Sequence, residues 1–234
     1  MSASYAAQPD HHRADPHGSM SVVHTGADLD TATSATIFIH GRGATAESIL
    51  RLIAPLAPDS MALVAPQARG RTWYPRSFLA PLEENQPGLS SGLRRIGTIF
   101  DTLTEHGIPA ERVVLGGFSQ GACLSTEYAA RNPKQYGAII GLSGGLIGNG
   151  MKPNAEPPND KVFDYTGDLH DTPVFLGCSD RDPHIPQKRV DDTATVFRNL
   201  NAAVDKRIYE GIGHIVNDDE REAVQALLED IVEV

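Results

Sequence analysis

Short apolar runs alternate with amphipathic segments along most of the chain. Runs that are rich in β-branched and other apolar residues, and that stop at glycine, proline or a polar residue, are typical of buried strands. We predict such strands at 35–39, 61–66, 113–117, 136–143, 173–177 and 204–209, with an edge strand beginning at 22–24. Between most of these runs, apolar residues recur at helical spacing. This alternation predicts an α/β fold in which helices cover both faces of a mostly parallel central sheet.

Polar residues mark where several of the helices begin. We predict Thr45 as the N-cap of the helix that follows the strand at 35–39, and either Ser90 or Ser91 as the N-cap of the next one. Asn217 and Glu220 stand three residues apart, ahead of the apolar positions of the C-terminal helix. That spacing is typical of a capping box, in which each side chain binds the backbone N–H of the other residue.

The N-terminal residues have a different composition from the rest. Residues 1–19 contain proline, glycine and the histidines His11, His12 and His17, without apolar periodicity, so we predict a flexible tail. The histidines lack fixed spacing and an acidic partner, and we therefore expect adventitious metal affinity instead of a metal site. No linker or repeat interrupts 20–234, which predicts a single domain.

Composition limits the classes of partner. The chain of 234 residues carries a net charge of −10, which argues against nucleic acid because the phosphates would be repelled. No apolar run is long enough to span a membrane, and no secretory leader is visible, so we expect a cytoplasmic protein. Two cysteines, Cys123 and Cys178, do not make a disulfide framework. The acidic, lysine-poor composition fits either adaptation to salt or ordinary variation.

The segment 117–121 has the pattern G-x-S-x-G between a predicted strand and a predicted helix. A strand that turns sharply into a helix holds its corner residue in a strained conformation, and glycines on both sides let the two elements approach. The turn would lift the hydroxyl of Ser119 clear of the sheet. Ser119 is therefore a candidate nucleophile, and a merely structural serine in a glycine-rich turn is the alternative.

A serine hydroxyl needs a base to remove its proton, and the base needs a carboxylate to orient it. In an open parallel sheet such groups gather at the carboxyl ends of the strands, where Asp182 and His214 follow the last two predicted strands. Asp180 is the alternative acid. We favour Asp182 because the proline that follows it restricts its backbone.

His184 is the alternative base. It lies only two residues beyond Asp182 on the same loop, whereas His214 sits between small residues on a short loop of its own. We therefore favour His214.

Acyl transfer also needs donors for the negative oxygen that forms on the substrate carbonyl. The backbone N–H of Gln120 is one candidate. We predict that the second is the N–H of Arg42, in the turn at 40–43. The side chain of Arg42 would then either face solvent or hold a substrate carboxylate.

The long connection at 67–92 carries several large apolar residues, including the only tryptophan. Connections of this length inside a compact domain are usually either functional or disordered. We predict that its apolar side chains form one wall of an open groove that takes short to medium acyl chains, with no large helical lid. The alternative is that they anchor the loop to the core. The residues concerned are Trp73, Tyr74, Phe78 and Leu79.

Four segments together resemble the phospholipase/carboxylesterase family of small α/β-hydrolases, which includes acyl-protein thioesterases. They are 39–43, 117–121, 182–186 and 211–214. The resemblance implies an α/β-hydrolase fold without a large cap domain, a triad at Ser119, Asp182 and His214, and no metal or organic cofactor. With Arg42, the turn at 40–43 looks more similar to the bacterial and archaeal carboxylesterase branch than to the eukaryotic thioesterases. Dienelactone hydrolases share the fold but use cysteine, so Ser119 argues against them.

These observations predict a serine hydrolase that cleaves small-molecule carboxylic esters, or thioesters, through an acyl-enzyme. A second hypothesis is a ligand-binding protein on the same scaffold, without turnover or nearly so. The sequence leaves the oligomeric state and the physiological ester open.

Overall fold

The structure is a computed structural model that describes residues 15–148 and 163–233. Its strands are β1 (Val22–Gly26), β2 (Ser34–Ile39), β3 (Met61–Pro66), β4 (Val113–Phe118), β5 (Ala138–Leu142), β6 (Pro173–Ser179) and β7 (Ala203–Tyr209). Within the described ranges they form one seven-stranded sheet in the order β1-β3-β2-β4-β5-β6-β7. Only β1 is antiparallel, where it pairs with β3. The predicted mostly parallel sheet, with an N-terminal edge strand, is confirmed.

The longer helices are α1 (Ala46–Ile53), α2 (Gly88–Glu105), α3 (Gln120–Arg131), α4 (Gln187–Asn199) and α5 (Asp218–Glu233). The apolar faces of α2, α3 and α4 bury one side of the sheet, with residues such as Ile96, Leu124 and Phe197 in that core. The apolar faces of α1 and α5 bury the other side, through residues such as Ile49 and Val224. The prediction of helices on both faces is confirmed, and the open ends of the strands are left free for a site.

Two of the three predicted helix starts are as the sequence indicates. The Thr45 side chain accepts the N–H of Ser48 at the start of α1. Asn217 and Glu220 form the predicted capping box, with both reciprocal bonds at 2.9 Å.

The prediction of Ser90 or Ser91 as a cap is wrong, because α2 begins earlier, at Gly88. The side-chain oxygen of Gln86 accepts the N–H of Ser90 at 3.2 Å and its hydroxyl at 2.6 Å. The side chain of Gln86, upstream of the helix, therefore accepts a hydrogen bond from the first turn of α2, a role that we had assigned to Ser90 or Ser91.

The predicted flexible tail reaches too far along the chain. Residues 15–19 lie against the domain, and His17 in particular is buried. Its Nδ1 accepts the N–H of Arg69 at 3.1 Å, so its Nε2–H donates to the carbonyl of Trp73 at 2.9 Å. The remaining tail, with His11 and His12, lies outside the described residues, as does most of the polar excursion after β5. In the described parts of the chain, no helix is long and apolar enough to cross a membrane.

Candidate active site

Ser119 occupies the sharp turn between β4 and α3. Its backbone has φ 57° and ψ −120°, a conformation that residues with side chains rarely adopt. A Cβ on Gly117 would lie 2.5 Å from the carbonyl carbon of Gly121, and a Cβ on Gly121 would lie 2.0 Å from the carbonyl oxygen of Ile39. Both glycines of the motif are therefore required by the close approach of α3 to the sheet. The turn raises Ser119 at the carboxyl end of the central strand.

His214 bridges Ser119 and Asp182, although these residues are far apart in sequence. Its Nε2 lies 2.8 Å from Ser119 Oγ, and its Nδ1 lies 2.6 Å from Asp182 Oδ2. A carboxylate accepts hydrogen bonds, so Nδ1 carries the proton and Nε2 is free to accept from the serine hydroxyl. This is the tautomer in which the imidazole can remove a proton from Ser119.

Asp182 is held as a carboxylate in a buried position. Its side chain is fully buried. The oxygen that does not face His214 accepts the N–H groups of His184 at 2.8 Å and Ile185 at 3.0 Å. Burial alone would raise the pKa of Asp182, but these hydrogen bonds and the one from His214 outweigh it and hold the pKa below its usual value. Asp182 therefore stays ionised at neutral pH and can stabilise a charged imidazole.

Asp180 and His184, the alternative acid and base, have other positions. Asp180 Oδ1 accepts the N–H of Gly211 at 2.7 Å, and so ties the loop after β6 to the loop that carries His214. The ring of His184 is exposed beside the site and meets the ring of His214 edge to face, with centroids 5.0 Å apart. Neither side chain is hydrogen-bonded to Ser119.

The two predicted backbone donors lie on turns next to Ser119. Gln120 is the first residue of α3, so its N–H has no partner within the helix. The turn of Arg42 also lies close to Ser119, because a Cβ on Gly41 would lie 3.3 Å from the Cβ of Ser119. Among the described residues, none accepts a hydrogen bond from the N–H of Arg42 or of Gln120. Both donors are available to a ligand.

We predicted that the side chain of Arg42 either faces solvent or holds a substrate carboxylate. It is instead held by hydrogen bonds to backbone carbonyls of the protein. Its guanidinium donates to the carbonyls of Tyr74 at 2.9 Å, Pro75 at 3.1 Å and Arg76 at 2.6 Å. It therefore pins the loop after β3 against the turn that carries the Arg42 N–H.

The side chain of Gln120 makes a second link to the same loop, which we did not predict. Its side chain accepts the N–H of Trp73 at 2.9 Å and donates to the carbonyl of Tyr74 at 2.8 Å. The indole N–H of Trp73 donates in turn to the carbonyl of His40 at 2.9 Å. In the sequence, the only hints of these contacts are that a glutamine follows Ser119 and that a long loop contains the tryptophan.

The buried histidines on either side of Trp73 are neutral. His40 Nε2 accepts the N–H of Ala68 at 3.1 Å, so its Nδ1–H donates to the carbonyl of Gly41 at 2.8 Å. Burial lowers the pKa of both His40 and His17. The loop is thus fixed by uncharged rings that pack against the indole, at centroid distances of 5.0 Å and 5.2 Å.

A cleft of about 430 Å³ opens in front of Ser119 and His214. Of the four side chains predicted as an acyl wall, Tyr74 and Phe78 line it. The prediction fails for Trp73, which is fully buried beneath the cleft and holds the loop, and for Leu79, which packs on the core. Ile185 and the fully buried Cys123, which we did not predict, also border the cleft.

The described residues contain no group of three or more His, Cys, Asp or Glu side chains that could hold a metal ion.

Comparison with known proteins agrees with this geometry. The sequence profile of the phospholipase/carboxylesterase family matches residues 20–232. A phospholipase/carboxylesterase from Dyadobacter fermentans is 39% identical, covers 92% of this chain and 97% of its own, and superposes with a TM-score of 0.80. Acyl-protein thioesterase 1 of Gibberella zeae is 26% identical over 84% of this chain and 89% of its own length. The Bacillus cereus carboxylesterase shares the fold, with a TM-score of 0.68. It is 17% identical, and the match covers 92% of this chain and 96% of that protein. The chain belongs to the phospholipase/carboxylesterase family of serine hydrolases with the α/β-hydrolase fold.

Proposed function

We propose that this protein hydrolyses carboxylic esters of short to medium acyl chains, with Ser119 as nucleophile, His214 as general base and acid, and Asp182 as the residue that orients the imidazole. The observation that carries the proposal is the unbroken hydrogen-bonded line from Ser119 Oγ through both nitrogens of His214 to Asp182 Oδ2. Each distance is short enough for proton transfer without rearrangement.

The proposed roles imply the following order of proton movements. As Ser119 Oγ bonds to the substrate carbonyl carbon, its proton passes to His214 Nε2, and the carbonyl oxygen becomes negative. When the carbon–oxygen bond to the leaving alcohol breaks, Nε2 gives that proton to the alcohol and leaves an acyl-enzyme. Water then attacks the acyl carbon, loses a proton to Nε2, and releases the carboxylic acid as Ser119 regains its proton.

The negative oxygen would be held by the N–H groups of Arg42 and Gln120, which have no other acceptor among the described residues. A preorganised donor of this kind lowers the barrier by about 3–4 kcal/mol. The side chains of the same two residues bind the loop at 73–76. The two donors are therefore braced by one piece of chain, and need little rearrangement during the reaction.

The size of the cleft supports the choice of acyl length. Phe78, Tyr74 and Ile185 offer apolar contact, while the volume of about 430 Å³ suits a short or medium chain better than a long one.

The test is a comparison of Ser119→Ala and His214→Ala with a matched control, Ser77→Ala, which changes another serine that lines the cleft. We expect wild type and Ser77→Ala to react with a fluorophosphonate and to release a chromogenic alcohol from a butyrate ester. Ser119→Ala should do neither, and His214→Ala should be nearly as inactive. The double variant should lose little more, because the residues act as a unit. Substantial turnover by a folded Ser119→Ala variant would contradict the proposal.

Thioesters are a second candidate class, because related sequences such as the one from Gibberella zeae are acyl-protein thioesterases. Parallel rates on oxygen and sulfur esters of the same acid decide between them. The remaining alternative is a ligand-binding protein on this scaffold. It predicts that wild type binds esters, reacts slowly or not at all with the fluorophosphonate, and turns nothing over.

A further inference from the structure

The cleft in front of Ser119 has the opposite charge to the chain as a whole. The chain carries a net charge of −10 with neutral histidines, yet two arginines, Arg42 and Arg76, line the cleft. Among the described residues that line it, there is no aspartate or glutamate. The nearest carboxylate of the site, Asp182, is fully buried behind His214 and engaged there. A substrate that enters the cleft therefore meets basic groups first.

Arg76 combines a fixed backbone with a free head group. Its N–H donates to Asn85 Oδ1 at 2.9 Å, and its carbonyl accepts from Arg42 at 2.6 Å. Asn85 is fully buried and also binds the carbonyl of Ser77 at 2.9 Å, so the backbone is held on both sides. Arg76 itself is exposed, and within the described parts of the chain its guanidinium has no hydrogen-bond or ion-pair partner. Its charge is thus presented to the cleft from a rigid support.

Arg42 adds positive charge that no carboxylate cancels. Its guanidinium donates to three carbonyl oxygens, which are neutral acceptors. Some other arginines of the described structure do sit against acids, as the partly exposed Arg207 does against Asp205 and Asp219 at 2.8 Å and 2.9 Å. The positive charge of the cleft is therefore left uncancelled, unlike the charge at such ion-paired arginines.

We propose that the preferred ester carries an anionic group, a carboxylate or a phosphate, which binds the guanidinium of Arg76 while the ester carbonyl lies at Ser119. Arginine forms paired, charge-assisted hydrogen bonds with both groups. At physiological salt, charges farther than about 8–10 Å are largely screened. Nearby arginines therefore outweigh the distant acidic surface for a substrate in the cleft. This inference rests on the proposed esterase function and names the substrate class of the same site.

The experiment compares Arg76→Gln with Arg51→Gln. Arg51 is exposed on α1 and does not line the cleft, so both variants change the net charge equally. Three anionic butyrate or adipate esters would be used, each with a neutral partner. In the first pair, a monoaryl adipate carries the carboxylate on the acyl side and is compared with the aryl hexanoate. In the second pair, para-(butyryloxy)benzoate carries the carboxylate on the leaving group and is compared with its methyl ester. A phosphate replaces the carboxylate in para-(butyryloxy)phenyl phosphate, against phenyl butyrate.

The score is kcat/KM of each variant divided by that of wild type, which removes differences in intrinsic reactivity between esters. We expect Arg76→Gln to lose roughly three- to tenfold on at least one anionic ester, to keep its rate on the neutral partner, and to show a smaller loss at high salt. The ester that responds identifies the anion and its side of the substrate. Arg51→Gln should change none of them.

Equal effects of Arg76→Gln on anionic and neutral esters, or the same pattern in Arg51→Gln, would overturn the inference and leave the esterase function intact. No turnover of any ester by wild type would instead refute the proposed function. The two failures are therefore distinguishable.

Discussion

Glu220 at the start of α5 offers a quantitative prediction that couples pH to the stability of the region around the site. The side chain is fully buried. One carboxyl oxygen accepts the N–H of Asn217, while the other, Oε1, has no hydrogen-bond partner among the described residues. Oε1 packs against Gly177 in β6, so closely that a Cβ there would lie 2.2 Å from it. Burial raises the pKa of Glu220 to about 7, from an ordinary value of 4.5.

The sign follows from where the proton is held. The unfolded chain releases it near pH 4.5, whereas the folded protein keeps it until about pH 7. Across that interval the folded state binds more protons, so the free energy of unfolding falls as pH rises. A shift of this size corresponds to about 3 kcal/mol at 1.36 kcal/mol per pKa unit. Above about pH 7 the buried carboxylate is charged in both states, and the loss is complete.

Glu220→Gln removes the titration and keeps the capping-box acceptor. We expect the free energy of unfolding of the variant to lack the fall that Glu220 causes, so between about pH 5 and pH 8 that of wild type falls by most of about 3 kcal/mol relative to the variant. The unpartnered amide of glutamine adds an offset that does not depend on pH, so the slope is the quantity to score. Urea unfolding at several pH values measures it, with Glu222→Gln on the exposed side of α5 as control. Parallel pH profiles in wild type and Glu220→Gln would refute the reasoning.

Two further predictions concern the roles assigned in the site. Asp182→Asn should lower kcat on a butyrate ester by about 10⁴-fold, as the loss of triad acids does elsewhere, whereas Asp180→Asn should cost far less because it only ties two loops together. A larger loss in Asp180→Asn would reverse the assignment. Trp73→Phe should lower stability by about 2 kcal/mol, since the carbonyl of His40 loses its buried partner, without changing the ratio of turnover on decanoate and butyrate. Phe78→Ala, which opens the lined cleft, should raise that ratio about tenfold. Thermal melts and the two rates measure both, and the opposite pattern would mean that Trp73 forms the acyl wall.

The parts of the site that stand at strand ends could be predicted from the sequence. Ser119, Asp182 and His214 each follow a predicted strand, and the carboxyl ends of parallel strands lie on one edge of the sheet. The structure places His214 within hydrogen-bonding distance of both Ser119 and Asp182. Their catalytic roles stay a prediction until the variants are measured.

The loop after β3 could not be predicted in the same way, because its side-chain directions follow no period. Whether Trp73 faces the cleft or the core depends on Gln120 and His40, which are distant in sequence. Arg76 belongs to no sequence motif. Its proposed role depends on the absence of an acidic side chain beside it among the described residues, which only the structure shows. The start of α2 was missed for a similar reason, since Gln86 replaces the expected serine cap.

The three residues of the hydrogen-bonded line, Ser119, His214 and Asp182, follow strands that differ in how many neighbours they have in the sheet. Ser119 follows β4, which is paired on both sides, whereas His214 follows β7, which has a neighbour only at β6 within the described sheet and is partly exposed along its length. Edge elements of this kind open locally at lower free energy than central strands. Fraying of β7 would withdraw the base while the nucleophile and the core remain in place. On warming or in mild denaturant, we therefore expect the protein to lose ester hydrolysis at a lower temperature or denaturant concentration than that at which the core unfolds.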